Sequence, residues 1–496
     1  MRSVIVSRIR RLSRLLPAAA LLALGLGPAA APALAAAHQA PAVTHKTVTH
    51  KTVTAAGAET LTGTLPDGAT YLIQVPANWN GTLFLYSHGY VVPGSPNPAT
   101  DVGDPITGAA MLAQGFALAG SSYASTGWAI QQALPDQIST LNIFDSQVGH
   151  PKRTIAWGHS LGGIITAGLI QKYPSRFAGA LPMCGVLSGG VATWNTALDS
   201  EFAFQQLIDP SVQVVNITIP PTDPTANLTA ADTAAVAAQA TPQGQARRAL
   251  AAALADTPGW FTPLSPEPAA NDYAAQEANQ FEWETQVDFP FAFFLRAELE
   301  GRAGGNPSWN TGVNYSRDLR KSADFREVKA LYKAAGLSLN ADLETLNNAA
   351  RVSADPAAVR YLEQNITFNG ELSVPVLTMH TTGDGLVVPE NEQAYASVVR
   401  RAGDSSLLRQ IFVSRAGHCA FTPAETVTAA HVLLQRLNTG HWSASVLQPS
   451  NLNAAAAALG PSLNVFESGS TLVPTAPAFL TFHPTQYLRP FDRMVP

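Results

Sequence analysis

The chain predicts an α/β protein: a mostly parallel sheet with helices on both faces, and a large helical insertion. Three observations carry this. Short apolar runs alternate with helix-like stretches from 82 to 184 and again from 374 onward, as strands buried on both faces require. The interval 185–373 breaks that alternation for 189 residues, far too many for a structureless loop. Of the 496 residues, 46% are hydrophobic and only 13% charged, enough to fill a large core and the opposite of a disordered composition.

Five arginines (Arg2, Arg8, Arg10, Arg11 and Arg14) precede an apolar run from Leu15 to Leu26, followed by small residues. Ala33-Leu34-Ala35 and Ala35-Ala36-Ala37 both fit a signal-peptide cleavage site, so residues 1–37 read as an export signal. Arg10-Arg11 invites a twin-arginine route, but Leu12-Ser13-Arg14 lacks the apolar pair that route expects. Removing the segment moves the formal charge from −5 to −10. An acidic mature chain without a basic run excludes nucleic acid and anionic lipid as partners. No later stretch has the roughly 18 apolar residues of a membrane helix, so a secreted protein without a stable membrane anchor is expected. Its two cysteines, Cys184 and Cys419, then predict one disulfide. They are too few for a Cys-rich metal cluster, and no HExxH occurs; no metal or cofactor is expected.

Residues 38–57 repeat Thr-His-Lys-Thr-Val and read as a flexible spacer, with metal binding by His45 and His50 as the alternative. A first core part, 58–187, opens with strands at Thr60–Thr64 and Tyr71–Val75 around Pro66-Asp67-Gly68. Thr82–Ser87, Phe116–Ser121, Thr154–Trp157 and Ala178–Cys184 read as buried strands. Helices are expected from Ile106 to Gln114, Asp136 to Val148 and Ile164 to Tyr173. The insertion, 188–373, reads as a helical cap, with helices at Pro242–Leu254, Ala274–Val287, Phe291–Glu300, Asp318–Ala335 and Pro356–Gln364. The second core part, 374–440, supplies strand Val374–His380, helix Glu390–Arg401, strand Arg409–Val413 and helix Ala424–Leu437. A Pro-rich extension, 441–496, carries two β-like runs, Ser462–Phe466 and Phe479–Phe482.

Gly158-His159-Ser160-Leu161-Gly162 sits directly after one of these strands and directly before a helix. That context makes a nucleophile elbow, whose glycines avoid collision with the adjoining strand and helix. Ser160 needs a base held by an acid. His418 follows a buried strand in the loop Ser414-Arg415-Ala416-Gly417, where its imidazole can reach the nucleophile; His441 and His483 are less well placed. Asp384, at the end of the preceding strand, is the candidate acid. Glu390 nearby reads instead as a first-turn helix residue. Backbone donors for an oxyanion are expected at Leu161, after the nucleophile, and at Tyr90 or Gly89, after the Thr82–Ser87 strand. His88 reads as a brace for that loop.

Gly-His-Ser-Leu-Gly-Gly, His-Gly-Tyr, Gly-Asp-Gly-Leu-Val-Val-Pro and Ala-Gly-His-Cys together resemble the α/β-hydrolase superfamily over about 58–187 and 374–440. The resemblance implies a Ser–His–Asp triad and chemistry without a cofactor. Cys419 directly after His418 also resembles tannases and feruloyl esterases, where a disulfide ties nucleophile loop to histidine loop. Here His159 rather than Cys precedes Ser160, and Cys184 ends the next strand.

The sequence therefore predicts a secreted serine hydrolase of carboxylic esters, its substrate a small molecule, lipid or polymer. A secreted aminopeptidase of the same fold and a non-catalytic binding protein are the alternatives. Trp128 and Tyr123 are expected at the pocket edge. Phe281, Trp283, Phe289, Phe291, Phe293 and Phe294 are expected in the cap core, with an acyl-pocket lining as the alternative. Glu277, Glu282, Glu284 and Asp288, the acids an aminopeptidase would need, are expected on a solvated surface, because their spacings do not share one helical face.

Overall fold

A computed structural model describes residues 48–491; the expected signal peptide, 1–37, and His45 lie outside the described residues. The first described element, β1 (Val48–Val53), falls within the expected spacer and is a strand instead, antiparallel to β2 (Glu59–Thr64). Its Thr/Val sequence is β-branched and favours extended backbone. Thr49 Oγ1 lies 2.6 Å from Tyr71 Oη, and Lys51 pairs with Glu59 at 2.7 Å. His50 stays exposed.

Strands β3 (Thr70–Val75) and β4 (Thr82–Ser87) are followed by α1 (Pro105–Ala113), β5 (Ala117–Ser121), α2 (Ile130–Gln147), β6 (Arg153–His159), α3 (Leu161–Lys172) and β7 (Gly179–Met183). Helix α2 begins six residues before the expected Asp136 and holds Pro135 inside it. The proline removes one i→i−4 bond, which hides the helix from a pattern search. Behind it Gln137 donates to the Tyr86 carbonyl at 2.5 Å, and Asp136 accepts from Ala124 N at 2.8 Å.

The insertion between β7 and the next sheet strand is helical: α4 (Gly190–Leu207), α5 (Ala226–Gln239), α6 (Pro242–Ala253), α7 (Tyr273–Trp283), α8 (Arg296–Ala303), α9 (Tyr315–Leu319), α10 (Phe325–Ala335), α11 (Leu339–Asn348) and α12 (Pro356–Asn365). Between α7 and α8 the backbone widens into two π-helical turns, Glu284–Asp288 and Phe291–Leu295, on either side of Pro290. The insertion has its own core, in which Phe202, Phe204, Leu250, Phe293, Tyr315 and Tyr332 are fully buried. Sequence reading missed α4, α5 and α11, and ran α9 and α10 together across the turn at Ser322.

The sheet resumes with β8 (Val376–Gly383), α13 (Glu390–Ala402), β9 (Leu408–Ala416) and α14 (Pro423–Thr439). Helix α14 starts on a capping box: Thr422 Oγ1 accepts from Glu425 N at 3.2 Å, and Glu425 accepts from Thr422 N at 2.8 Å. The C-terminal extension adds α15 (Pro449–Ala458), a small hairpin of β10 (Val465–Ser468) and β11 (Thr471–Pro474), and β12 (Phe479–Leu480).

The strand order is β1-β2-β3-β5-β4-β6-β7-β8-β9-β12. It is parallel from β5 to β9 and antiparallel at both edges. Period-two alternation divides the side chains: Leu83 and Leu85 of β4 enter one core, Phe84 and Tyr86 the other. Helices α2, α3 and α13 cover the first face; α1, α14 and α15 cover the second. This is an α/β-hydrolase fold with a large helical insertion after β7.

Candidate active site

Ser160 stands between β6 and α3 with φ +58° and ψ −124°, a conformation that side chains rarely adopt. A Cβ at Gly162 would sit 1.9 Å from the Ser87 carbonyl oxygen, and one at Gly158 2.5 Å from the same atom. Only glycine lets the strand, turn and helix approach so closely. His418 Nε2 lies 2.7 Å from Ser160 Oγ, and His418 Nδ1 lies 2.8 and 3.0 Å from the two Asp384 oxygens. Asp384 is fully buried and also accepts from the backbone N–H groups of Leu386 and Val387 at 3.1 and 3.0 Å.

Asp384 has a second imidazole beside it. His380, fully buried on β8, places Nε2 3.6 Å from Asp384 Oδ2 and 2.7 Å from the Val387 carbonyl, and Nδ1 3.1 Å from Glu392 Oε1. Burial alone would lower the His380 pKa, but the two carboxylates outweigh it and push it up to about 10, so the ring is a buried cation. Burial alone would raise the Asp384 pKa; His418 and His380 reverse that and hold the carboxyl below its usual range.

The loop after β4 lies against Ser160. A Cβ on Gly89 would fall 3.3 Å from Ser160 Cβ. His88 braces the loop through the carbonyls of Gly89 and Ser122 at 2.7 and 3.1 Å, and its buried ring stacks on Tyr123 at 3.9 Å between centroids. Leu161 N is the first of the unpaired donors at the α3 N-terminus. Tyr90, Leu161 and Ser160 line one cavity. His159 is half-buried, its Nδ1 3.1 Å from Tyr86 Oη; desolvation first, and His418 second, lower its pKa to about 4.

The His418 loop is pinned on two sides. Cys419 is disulfide-bonded to Cys184, with Cα atoms 5.3 Å apart. Arg415 makes a buried double contact with Glu425 at 2.7 and 3.0 Å.

Spanning about 1080 Å³ with its open mouth, the cavity runs from Ser160 between the sheet and the insertion. Trp128 lines it, its backbone N–H donating to Glu298 of α8 at 3.1 Å. Tyr123, expected at the pocket edge, does not: it is buried beneath the loop, held by its stack on His88 and a 3.2 Å bond to the His88 carbonyl. The aromatic stretch divides, with Phe289 and Phe291 on the cavity wall and Phe293 in the core of the insertion. The four acids are not a solvated surface. Glu277 and Glu284 are buried on Arg248, Glu282 meets Gln286, and Asp288 and Glu284 line the cavity. Ordinary helical spacing accounts for most of this: Glu277, Glu284 and Asp288 are seven and four residues apart and share one face, and Glu282 alone is turned from it.

No family model matches the chain. It is 32% identical over 429 residues to the o-phthalyl amidase of Xanthobacter agilis, an overlap covering 80% of this chain and 90% of that protein. The chain belongs to the family of that amidase. Among solved structures it aligns with an esterase from Aspergillus oryzae (12% identity, 90% of this chain and 93% of that one, TM-score 0.42). It also aligns with feruloyl esterase B from Aspergillus oryzae (13%, 83% and 90%, TM-score 0.35).

The amidase-family chain uses cavity residues that sequence reading did not find. Thr193, Trp194, Ser200 and Glu201 come from α4, and Tyr487 comes from the C-terminal extension. Glu201 is buried and pairs with Arg296 at 3.2 Å. Nothing in the extension's sequence marks Tyr487. His380 did carry a signal: the one ionisable residue in the run Val376–Gly383, four positions before Asp384. Among the described residues no group of three His, Cys, Asp or Glu side chains is arranged to hold a metal ion, and no helix is long and apolar enough to cross a membrane.

Proposed function

We propose that this chain is an exported serine hydrolase that cleaves carboxylic esters through an acyl-enzyme. The observation that carries the reading is the continuous contact from Asp384 through His418 to Ser160 at the wall of the cavity. In the proposed reaction Ser160 Oγ attacks the acyl carbon while its proton passes to His418 Nε2. Asp384 steadies the imidazolium, and the N–H groups of Leu161 and of Tyr90 or Gly89 receive the oxyanion. Collapse breaks the bond to the leaving group, which takes the proton from His418. Water, deprotonated by His418, then releases the acid and restores Ser160.

A second reading, amide cleavage, is favoured by the family, since the 32% identical relative is named an amidase. The same residues serve both reactions, but an amine must be protonated as it leaves, whereas an alkoxide needs less help. The aminopeptidase form of this reading needs a site for a free amine. A non-catalytic binding protein would have no use for the buried acid, the base and the cavity-lining serine together. We further assign 188–373 as a cap that sets substrate choice. The disulfide fits an oxidising compartment outside the cytosol.

The test is labelling with a fluorophosphonate, followed by turnover of matched p-nitrophenyl esters and p-nitroanilides. Labelling at Ser160 with faster ester turnover supports the proposal. Faster anilide turnover replaces ester by amide, and failure to label Ser160 overturns both.

A further inference from the structure

The leaving group must reach His418 Nε2 to take its proton. The cavity wall holds Ser160, Leu161 and Tyr90 but not His418. A substrate on Ser160 therefore places its leaving group outside the cavity and its acyl group within. The wall is aromatic over Trp128, Trp194, Phe204, Phe289 and Phe291, and no Lys, Arg or His of the described residues lines it. An oxygen carried in on the acyl group must be met by uncharged donors, and in so apolar a cavity a few such groups fix the orientation.

Three hydroxyls converge on one part of this wall. Thr193 and Thr196 come from α4 and Tyr487 from the C-terminal extension, with Ser188 Oγ 2.9 Å from Thr193 Oγ1. Tyr487 is carried there by a strap that crosses from the sheet domain to the insertion. On one side Thr485 Oγ1 donates to Glu390 of α13 at 3.1 Å, and Tyr487 N to Gln393 Oε1 at 3.0 Å. On the other, Arg489 pairs with Asp199 of α4 and donates to the Trp309 carbonyl at 2.8 Å, and Phe491 stands edge-on to Trp309. The Tyr487 ring packs with Ala192, Val388 and Ala394. Neighbouring donors are already committed: Thr196 to the Ala192 carbonyl at 3.0 Å, and Asn391 Nδ2 to the Val388 carbonyl at 2.9 Å. Among the described residues the Tyr487 phenol has the hydroxyls of Ser188, Thr193 and Thr196 for hydrogen-bonding neighbours, so its O–H can turn to a ligand without giving up a main-chain bond. Burial, the first cause, raises its pKa and keeps that proton in place at neutral pH.

Resting on the reading that Ser160 is acylated, we propose that Tyr487 is a specificity residue that donates a hydrogen bond to an oxygen carried on the acyl group. It thereby favours acyl groups with an oxygen acceptor beyond the scissile carbonyl. Such a site discriminates against the analogue that lacks the oxygen, because the donor is then left facing an apolar cavity.

The test uses p-nitrophenyl benzoates bearing acetyl or isopropenyl, groups of nearly one shape with and without the oxygen, at the meta and para positions. From the wild-type chain to Tyr487→Phe, which keeps the ring, the acetyl-to-isopropenyl ratio of kcat/KM should fall about tenfold at one position or both. Comparing ratios between the two proteins cancels the electron-withdrawing effect of acetyl. A ratio unchanged at both positions overturns the proposal. So does a change that follows the leaving group instead, read by replacing p-nitrophenol with phenol at constant acyl group. Binding of acetophenone and α-methylstyrene to the Ser160→Ala protein gives a measure independent of turnover. Acetophenone should bind tighter, and adding Tyr487→Phe should remove the difference; equal binding with Tyr487 intact overturns the proposal. If the difference holds and depends on Tyr487 in a chain that hydrolyses no ester or amide, the hydrolase reading fails and the Tyr487 assignment stands.

Discussion

His418 Nε2 and Ser160 Oγ, 258 positions apart in the chain, meet at 2.7 Å. The contact joins the loop after β9 to the turn before α3, and its removal from either side should have the same effect. Ser160→Ala and His418→Ala should each lower kcat/KM by several orders of magnitude while circular dichroism stays unchanged. His431, on α14 and bonded to Gln114 at 2.6 Å, lies outside this contact. His431→Ala should keep activity near wild type. Retention of activity within about tenfold by Ser160→Ala would remove the proposed nucleophile.

The Cys184–Cys419 bond closes a loop with a sequence separation of 235, and chain-entropy reasoning puts its stabilising effect at roughly 5 kcal/mol as an upper figure. Cys184→Ala with Cys419→Ala should lower the unfolding midpoint and also reduce turnover, because His418 is the neighbour of one anchor. Denaturant titration beside ester kinetics checks both. Unchanged kinetics with lowered stability would mean that the Arg415–Glu425 pair holds the loop without the disulfide.

The buried cation at His380 weakens the field that Asp384 exerts on His418. Removing it makes a protonated His418 more favourable, so the acid limb of the kcat/KM profile should move to higher pH, by roughly half to one unit. His380→Gln is best paired with Glu392→Gln, which avoids leaving Glu392 buried without its cation. An acid limb that does not move would show that His380 has no electrostatic influence on the base.

Three carboxyls meet where the insertion contacts the sheet domain: Asp256, Asp324 and Glu390. Burial, their first cause in each case, raises Asp256 well above its usual range and Asp324 and Glu390 to about 7. Glu390 has help from Thr485 at 3.1 Å, but its Oε2 and Asp324 Oδ2 are buried without a hydrogen bond. Folded-state pKa values above the unfolded ones mean that their stabilising contribution is complete below about pH 4 and is lost as pH rises through about 7. Asp324→Asn with Glu390→Gln should therefore raise the melting temperature at pH 8, by about 2–4 °C, and raise it less at pH 5. Equal shifts at the two pH values would contradict the charge argument.

The elbow, the loop after β4 and the ends of β8 and β9 were legible in sequence because each must satisfy local geometry. Gly158 and Gly162 flank Ser160 for want of space, and buried parallel strands have no polar face to interrupt their apolar runs. Asp288 was not legible, because Glu282 lies off the face that Glu277, Glu284 and Asp288 share, and the four acids taken together looked scattered. Helix α2 was read short because Pro135 looks like a start rather than an interior residue. Strand β1 was hidden by its polar repeat, whose partner, β2, is itself half exposed. Tyr487 reaches the cavity through tertiary packing alone, and Tyr123 was misplaced because a residue following a strand can turn inward as readily as outward.

Cys184 stands where the chain leaves the sheet domain for the insertion, and Cys419 stands after the chain has returned. The insertion, β8, α13 and β9 thus lie within one covalent ring. Cutting the backbone at a single point between the two cysteines would leave one molecule, not two. A protease-nicked protein should migrate as one species without reductant and separate into two fragments with it. Surface loops of the insertion can therefore be cleaved without losing either half of the site, so long as the bond remains oxidised.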